Sequence, residues 1–199
     1  MRPTDILERA HRVIEQVLTC LERIADQGLA NERLDEVSAR QALDFFQTFA
    51  DGCHHGKEES HLFPLMEAKG FPRLGGPTGV MLHEHEEGRQ HIRAMHEALP
   101  GAATGQDTSL REFARHARAY VDLLRQHILK EDQRLFPMAN QVFSPEDQAR
   151  LLDRFAHVEH HDMHEGTHQK YLELADTLAE RFHVARAGGA VRGCGHGKH

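Results

Sequence analysis

The sequence predicts an all-α protein: an up-down-up-down four-helix bundle with an additional C-terminal fifth helix. Three observations predict it. Apolar residues recur at helical spacing nearly throughout, and nothing alternates as a half-buried strand would. Two stretches are near copies, His54-x3-Glu58-x3-Leu62-Phe63-Pro64 and His127-x3-Glu131-x3-Leu135-Phe136-Pro137. The repeat is also larger than these stretches, because His11 and His85 lie 74 residues apart while His54 and His127 lie 73 apart. Helices one and two therefore recur as three and four, a helical hairpin made twice, which suits a bundle with fairly short connections.

The first helix is expected from about Thr4 to Asp26, stopping near Gly28. The second runs from about Leu34 to Lys69 and ends at Gly70, before a Gly- and Pro-rich loop from Phe71 to Gly79. The third covers about Val80 to Leu99, closed by Pro100-Gly101. The fourth covers about Leu110 to Ala139. Ser144-Pro145-Glu146-Asp147 opens the fifth with a Ser cap, Pro at the first position and acids in the first turn, and that helix runs to about Ala187. The organisation expected is a bundle over 1–142, a fifth helix over 143–187 packed on it within the same domain, and a flexible Gly/His tail over 188–199.

A chain of 199 residues is long enough to bury a substantial core as one domain. No apolar run reaches the length of a membrane span, and Met1-Arg2-Pro3-Thr4-Asp5 leads straight into helical pattern without a signal peptide. Three cysteines, Cys20, Cys53 and Cys194, make no disulfide framework and fit a reducing, cytoplasmic setting. A formal charge of -7 with no basic patch argues against nucleic acid or an anionic membrane as partner. Histidine is the outlier, at 18 residues, most of them dispersed through the helical segments.

Each bundle helix carries an apolar stripe with a polar interruption. The stripes are Leu7, His11, Ile14, Leu18, Leu21; then Phe46, Ala50, His54, Glu58, Leu62; then Met81, His85, Gly88, Ile92, Met95, Leu99; then Phe113, Ala117, Tyr120, Leu124, His127, Glu131, Leu135. All six interruptions are His or Glu. An unpaired carboxylate buried in such a face costs several kcal/mol, on the order of a lost ion pair, so two of them require a strong partner. Four imidazoles and two carboxylates converging on a cation supply it, although buried Glu-His ion pairs without metal are the alternative. His55 and Glu59 form a competing His-x3-Glu one residue out of phase, but their stripe through Thr48 and Gly52 is less apolar, so His54 and Glu58 are preferred. Imidazole with carboxylate suits iron, manganese or zinc.

The pattern His11, His54-x3-Glu58, His85, His127-x3-Glu131, with Leu-Phe-Pro after each pair, resembles hemerythrin-like (HHE cation-binding) domains over roughly residues 4 to 140. The resemblance implies a four-helix bundle holding two oxo- or hydroxo-bridged iron ions, with the carboxylates bridging and the histidines at either end. It also implies a small diatomic ligand (O2 or NO) or peroxide as partner, in roles from carrier and sensor to redox enzyme and iron buffer. A separate redox partner protein belongs to some of those roles. Three departures distinguish this chain from the oxygen carriers. Met81 stands where they have a second histidine a turn before His85; the last carboxylate is Glu131, four residues after His127; and a long fifth helix is added. That helix offers the missing ligand: His157, His161, His164 and His168 share one face, and His168 continues into Leu172, Ala175 and Ala179. His168 completes five histidines and two glutamates, with His161, Glu165 or a merely solvated face as alternatives. Tyr120 is a candidate hydrogen-bond donor to a bound ligand, and Glu15, Glu59 and Glu84 are candidates to orient the imidazoles.

Overall fold

The structure is a computed structural model that describes residues 1–158 and 166–187. His161, His164, Glu165 and the tail with Cys194 lie outside the described residues, which contain no strand. Helix α1 spans Pro3–Ala30. The second bundle helix is a continuous helical path of several kinds: α2 (Glu36–Phe45), a π-helical stretch π1 (Phe46–His55), a second one π2 (Glu58–Leu62), and α3 (Phe63–Ala68). The third is α4 (Pro77–Ala103), and the fourth is α5 (Asp107–Lys130), π3 (Glu131–Leu135) and α6 (Phe136–Val142). Two further helices follow, α7 (Pro145–His157) and α8 (Thr167–Arg181).

The ends obey local chemistry. Asp35 accepts from Ser38 N at 3.3 Å to start α2, and Ser144 and Asp147 cap each other reciprocally to start α7, as the sequence there predicts. Pro77 and Pro145 stand in first turns, where a missing N–H costs nothing. α4 runs past its expected stop, through the exposed Pro100. Proline in the last turn forfeits a single ladder bond, and the chain after α1 makes this end secure. Leu34 N donates to Ala102 O at 3.0 Å and Arg33 Nε to Ala103 O at 2.9 Å, which occupies otherwise orphaned terminal carbonyls.

The four apolar stripes meet as expected: every residue of each stripe is buried. α4 packs along α5 and α1 along α5, while α8 docks on α1 and α2. Two polar anchors hold α8. Gln16 donates to Ala175 O at 2.8 Å and accepts from Ala187 N at 2.5 Å, and Tyr171 OH donates to Asp44 at 2.9 Å. The helical C-terminal addition is present, and among the described residues it comprises two helices. α7 ends at His157, and α8 starts after Gly166, whose φ of 85° is the left-handed conformation that glycine adopts without a Cβ penalty.

The π stretches position the site. A π turn closes i→i+5 bonds and carries an extra residue, so the face it presents slips relative to an α-helix. π2 and π3 each end on the Leu of a repeat's Leu-Phe-Pro. A proline ring clashes with the carbonyl four residues back in a regular helix, and the widened turn before Pro64 and Pro137 relieves that clash. π1 has no counterpart in the second repeat, where α5 stays α-helical to Lys130.

Candidate metal centre

Two groups of donors gather at the middle of the bundle, every residue buried: His11, His54, Glu58 and Glu131, and His55, Glu58, His85 and His127. Glu58 belongs to both. Glu131 also faces both, with its Oε2 3.2 Å from His11 Nε2 and 3.3 Å from His127 Nε2. Glu58 reaches His54 Nε2 through Oε1 at 3.4 Å and His85 Nε2 through Oε2 at 3.6 Å. Two carboxylates thus lie between a pair of histidines, His11 and His54, and a trio, His55, His85 and His127.

Six of the seven residues expected from the sequence come together here. His168 is not gathered with them; the donor groups hold His55 instead. His168 stands in the first turn of α8 beside Phe49 (ring centroids 5.3 Å), in the wall of a cavity that reaches His54. The reason His55 joins is π1. With an extra residue in the turn, His54 and His55 both point inward, and the His55 ring stacks on His85 with centroids 3.8 Å apart. An α-helical stripe admits only one of the two, which is why the sequence sets His55 and His54 as competitors.

Behind the imidazoles stands an ordered outer layer. His11 Nδ1 lies 2.6 Å from Asp132, His85 Nδ1 2.7 Å from Glu59, His127 Nδ1 2.9 Å from Glu84, and His55 Nδ1 3.3 Å from Asp51. An ionised carboxylate can only accept, so in these rings Nδ1 carries the proton and the Nε2 lone pair is aimed inward. Cations back the carboxylates in turn: Arg12 on Asp132, Lys130 on Glu84, and Arg89 on both Glu59 (2.6 Å) and Asp51 (2.8 Å). Glu59 and Glu84 thus take the orienting places expected of them, whereas Glu15 pairs with Arg12. Phe136 stacks on His11 and Phe63 on His85, so the Phe of each Leu-Phe-Pro fixes an imidazole of the other repeat.

Whether this set fits a cation can be tested on the geometry. His85 Nε2 and His127 Nε2 face each other at 3.1 Å, and both rings have their protons on the far side. His11 Nε2 and His54 Nε2 face each other at 3.0 Å. At such a distance either a proton on one nitrogen or a metal ion must lie between them, and about 3 Å is also the separation of cis nitrogens each about 2.1 Å from one ion. None of the four carboxylate oxygens of Glu58 and Glu131 makes a hydrogen bond of good geometry, and Glu131 is left with imidazoles at ion-pair distance, 3.2 Å and 3.3 Å. Buried carboxylates so poorly satisfied are costly, and a metal pair would use all four oxygens.

The electrostatics say the same thing. Burial, then the Glu131 charge, pushes Glu58 well above the ordinary carboxyl value. Glu131 is buried too, but His127 and His11 outweigh the burial and hold it well below. Burial opposes charge on His127, yet Glu131 and Glu84 raise it to about 9. Burial and His85 lower His55 to about 3, which leaves its ring neutral. These directions favour a proton on Glu58 beside an ionised Glu131 and a charged His127, and metal ions would displace such protons.

Cavities flank both sides. One of about 150 Å³ touches the trio, lined by Phe46, His55, His85, Gly88, Arg89 and Tyr120. Tyr120 is thus on the three-histidine side. Gly88 gives it room, since a Cβ there would stand 3.3 Å from the Tyr120 ring. The other, of about 420 Å³, lies between α1, π1 and α8 and reaches the pair through His54, with Ala10, Phe49, Cys53, Lys57 and His168 in its wall. No described helix is long and apolar enough to cross a membrane.

Two curated relatives share sequence with this chain. The iron-sulfur cluster repair protein YtfE of Dickeya chrysanthemi (strain Ech1591) is 34% identical over 89 residues, covering 43% of this chain and 40% of that protein. Its namesake from Edwardsiella ictaluri (strain 93-146) is 33% identical over 115 residues, 57% of this chain and 47% of the relative. The chain therefore spans less than half the length of the curated relatives it matches. No solved structure matches it. The profile of the Hemerythrin HHE cation binding domain matches residues 2–139, the whole duplicated bundle with both donor groups, and the chain belongs to that family of metal-binding helical domains.

Proposed function

We propose that the chain is a non-haem di-iron protein that binds O2, NO or peroxide at the centre framed by His11, His54, His55, Glu58, His85, His127 and Glu131. The observation that carries this reading is the pair of facing imidazole couples, at 3.0 Å and 3.1 Å, on either side of two fully buried carboxylates that belong to the same donor groups. Two shared carboxylates serve both positions, so the three-histidine position is the fuller and the two-histidine position keeps room for a ligand. Iron bound there would supply a change of valence and a Lewis acid; zinc or manganese suits the same donors without the same O2 chemistry.

The residues of the chain do the rest. The carboxylates behind His11, His55, His85 and His127 fix the tautomers and stop the rings rotating. Phe63, Phe136 and Leu7, each about 1% exposed or less, keep bulk water from the donors. The cavity beside His54 gives a small molecule a way to the two-histidine position. Carrier, sensor and redox enzyme share this geometry. A second reading is favoured by the curated relatives: the centre handles iron for the repair of iron-sulfur clusters, as their name says of them.

The test is metal content of protein made in iron-replete cells, with its near-ultraviolet and visible spectrum under air and under argon. Two irons per chain and an O2-sensitive charge-transfer band support the proposal; a single zinc overturns it. His55→Ala is expected to lower the metal content, whereas His168→Ala leaves two. The opposite pattern would return His168 to the ligand set. Turnover of peroxide or NO would mark an enzyme, and iron passed to a cluster-depleted acceptor would mark the repair reading.

A further inference from the structure

We infer that the two metal positions hold their ions unequally, and that the His11–His54 position is the one from which metal exchanges. The inference rests on the two-metal reading above. It comes from the one imidazole the outer layer leaves out. His54 Nδ1 is buried, and among the described residues it has no hydrogen-bond partner. The other four rings each have a carboxylate on Nδ1.

The duplication shows what is absent. His54-His55-Gly56-Lys57-Glu58-Glu59 aligns with His127-Ile128-Leu129-Lys130-Glu131-Asp132, and Ala10-His11 aligns with Glu84-His85. Most of the outer layer obeys the repeat: Glu59 backs His85 and Asp132 backs His11, each the residue after a bridging glutamate. Glu84, the residue before His85, backs His127. By the same operation the residue before His11 should back His54, and that residue is Ala10. A methyl group stands where the second repeat has a carboxylate, and the space it leaves is part of the cavity that Ala10 and His54 line.

A carboxylate on the far nitrogen makes an imidazole a stronger donor and holds its ring in place; losing one costs about 10–100-fold in metal affinity. The His85–His127 position has three such rings. The His11–His54 position has two rings, only one of them supported, and the cavity beside it is the larger, about 420 Å³ against about 150 Å³. Both differences weaken the same position.

Stopped-flow removal of metal from the two-iron protein by a ferrous chelator would test this, with rapid-quench metal counting. Two phases of one iron each are expected, the first at least about ten times faster. Ala10→Glu supplies the missing carboxylate and is expected to slow the fast phase alone, bringing it towards the slow one. Glu84→Ala gives His127 the environment of His54 and is expected to speed the slow phase by about tenfold or more while the fast one stays. Both irons leaving in one phase would overturn the inference and leave the two-metal reading intact, as would a fast phase that responds to Glu84→Ala. Saturation at one metal per chain would end both.

Discussion

Replacing each central glutamate in the metal-free protein should give two very different results, although Glu58 and Glu131 occupy equivalent places in the repeat. Both are fully buried. Glu58 is pushed well above the ordinary carboxyl value by burial and by Glu131, so near neutral pH it keeps its proton. Glu58→Gln therefore exchanges one neutral donor for another of the same shape, which is expected to cost within about 1 kcal/mol. Glu131 is the ionised member, 3.2 Å from His11 and 3.3 Å from His127. Glu131→Gln removes the anion that neutralises a protonated His127. Breaking a buried ion pair from one side costs about 3–5 kcal/mol, and the low end applies because Glu84 still faces the other nitrogen of that ring at 2.9 Å.

At about 2–4 °C per kcal/mol for a chain of this size, a loss of ~3 kcal/mol lowers Tm by roughly 6–12 °C for Glu131→Gln, against a few degrees or less for Glu58→Gln. The assay is thermal melting by circular dichroism after dialysis against a chelator. Adding metal should remove the difference in kind. Wild type gains about 2.7 kcal/mol at a free metal concentration of 100 times Kd, and both variants should lose most of that gain. Equal destabilisation of the two metal-free variants, or the reverse order, would refute the assignment of the proton to Glu58.

Three further perturbations follow from the surroundings of the centre. Arg89→Ala strands Asp51 and Glu59, which it now joins at 2.8 Å and 2.6 Å, and should weaken metal binding about tenfold in a chelator competition, with Arg89→Lys recovering only part because an ammonium is a point charge and not a fork. Asp51 is held at about 2 by His55 and Arg89 in spite of burial. A carboxyl depressed in the folded state stabilises above its ordinary value and loses that contribution as pH falls through the folded one, so denaturant midpoints of metal-free protein should drop between about pH 4 and pH 2, and Asp51→Asn should flatten that slope. Gly88→Val pushes a branched side chain at the Tyr120 ring, already 3.3 Å from an added Cβ, and should cost about 2–3 kcal/mol in a chemical melt, whereas Gly88→Ala should stay within about 1 kcal/mol because helix propensity offsets the squeeze.

Much of this was readable before any coordinates, and for a physical reason. A buried His or Glu in an apolar stripe is a local contradiction that only a shared partner resolves, and residues such as His11 and His85 each declare it on their own helix. Periodicity then puts them on one axis, because α1, α4 and α5 are regular helices over the residues concerned. What periodicity does not reveal is a change of period. π1 leaves no pattern that a 3.6-residue template detects, so His54 and His55 read as alternatives on two stripes and the more apolar stripe favours His54. The same template runs through residues 145–187 without interruption and gives one fifth helix, where Gly166 in the left-handed conformation separates α7 from α8. Asp132 was legible in principle, since it follows Glu131 as Glu59 follows Glu58, but that signal appears only when the repeats are aligned with the ligands already known.

Taken alone, the duplication would make a symmetric centre: His11 and His54 mirrored by His85 and His127, with Glu58 mirrored by Glu131. Two local departures break that symmetry. His55 is aligned with Ile128, a buried apolar residue of the regular α5, so the fifth histidine exists only where the first repeat widens into π1. Glu84 is aligned with Ala10, so one supporting carboxylate exists only in the second. Neither change moves a bridging residue, and each costs the bundle little: one extra residue in a turn, one carboxylate traded for a methyl group. Yet both strengthen the His85–His127 side, because His55 leans onto His85 at 3.8 Å and Glu84 reaches His127 at 2.9 Å. A duplicated hairpin supplies two like donor groups cheaply; on the two-metal reading proposed above, two changes in the same direction would turn them into one firm position and one open one, the division that a centre holding its metal while admitting a ligand would need.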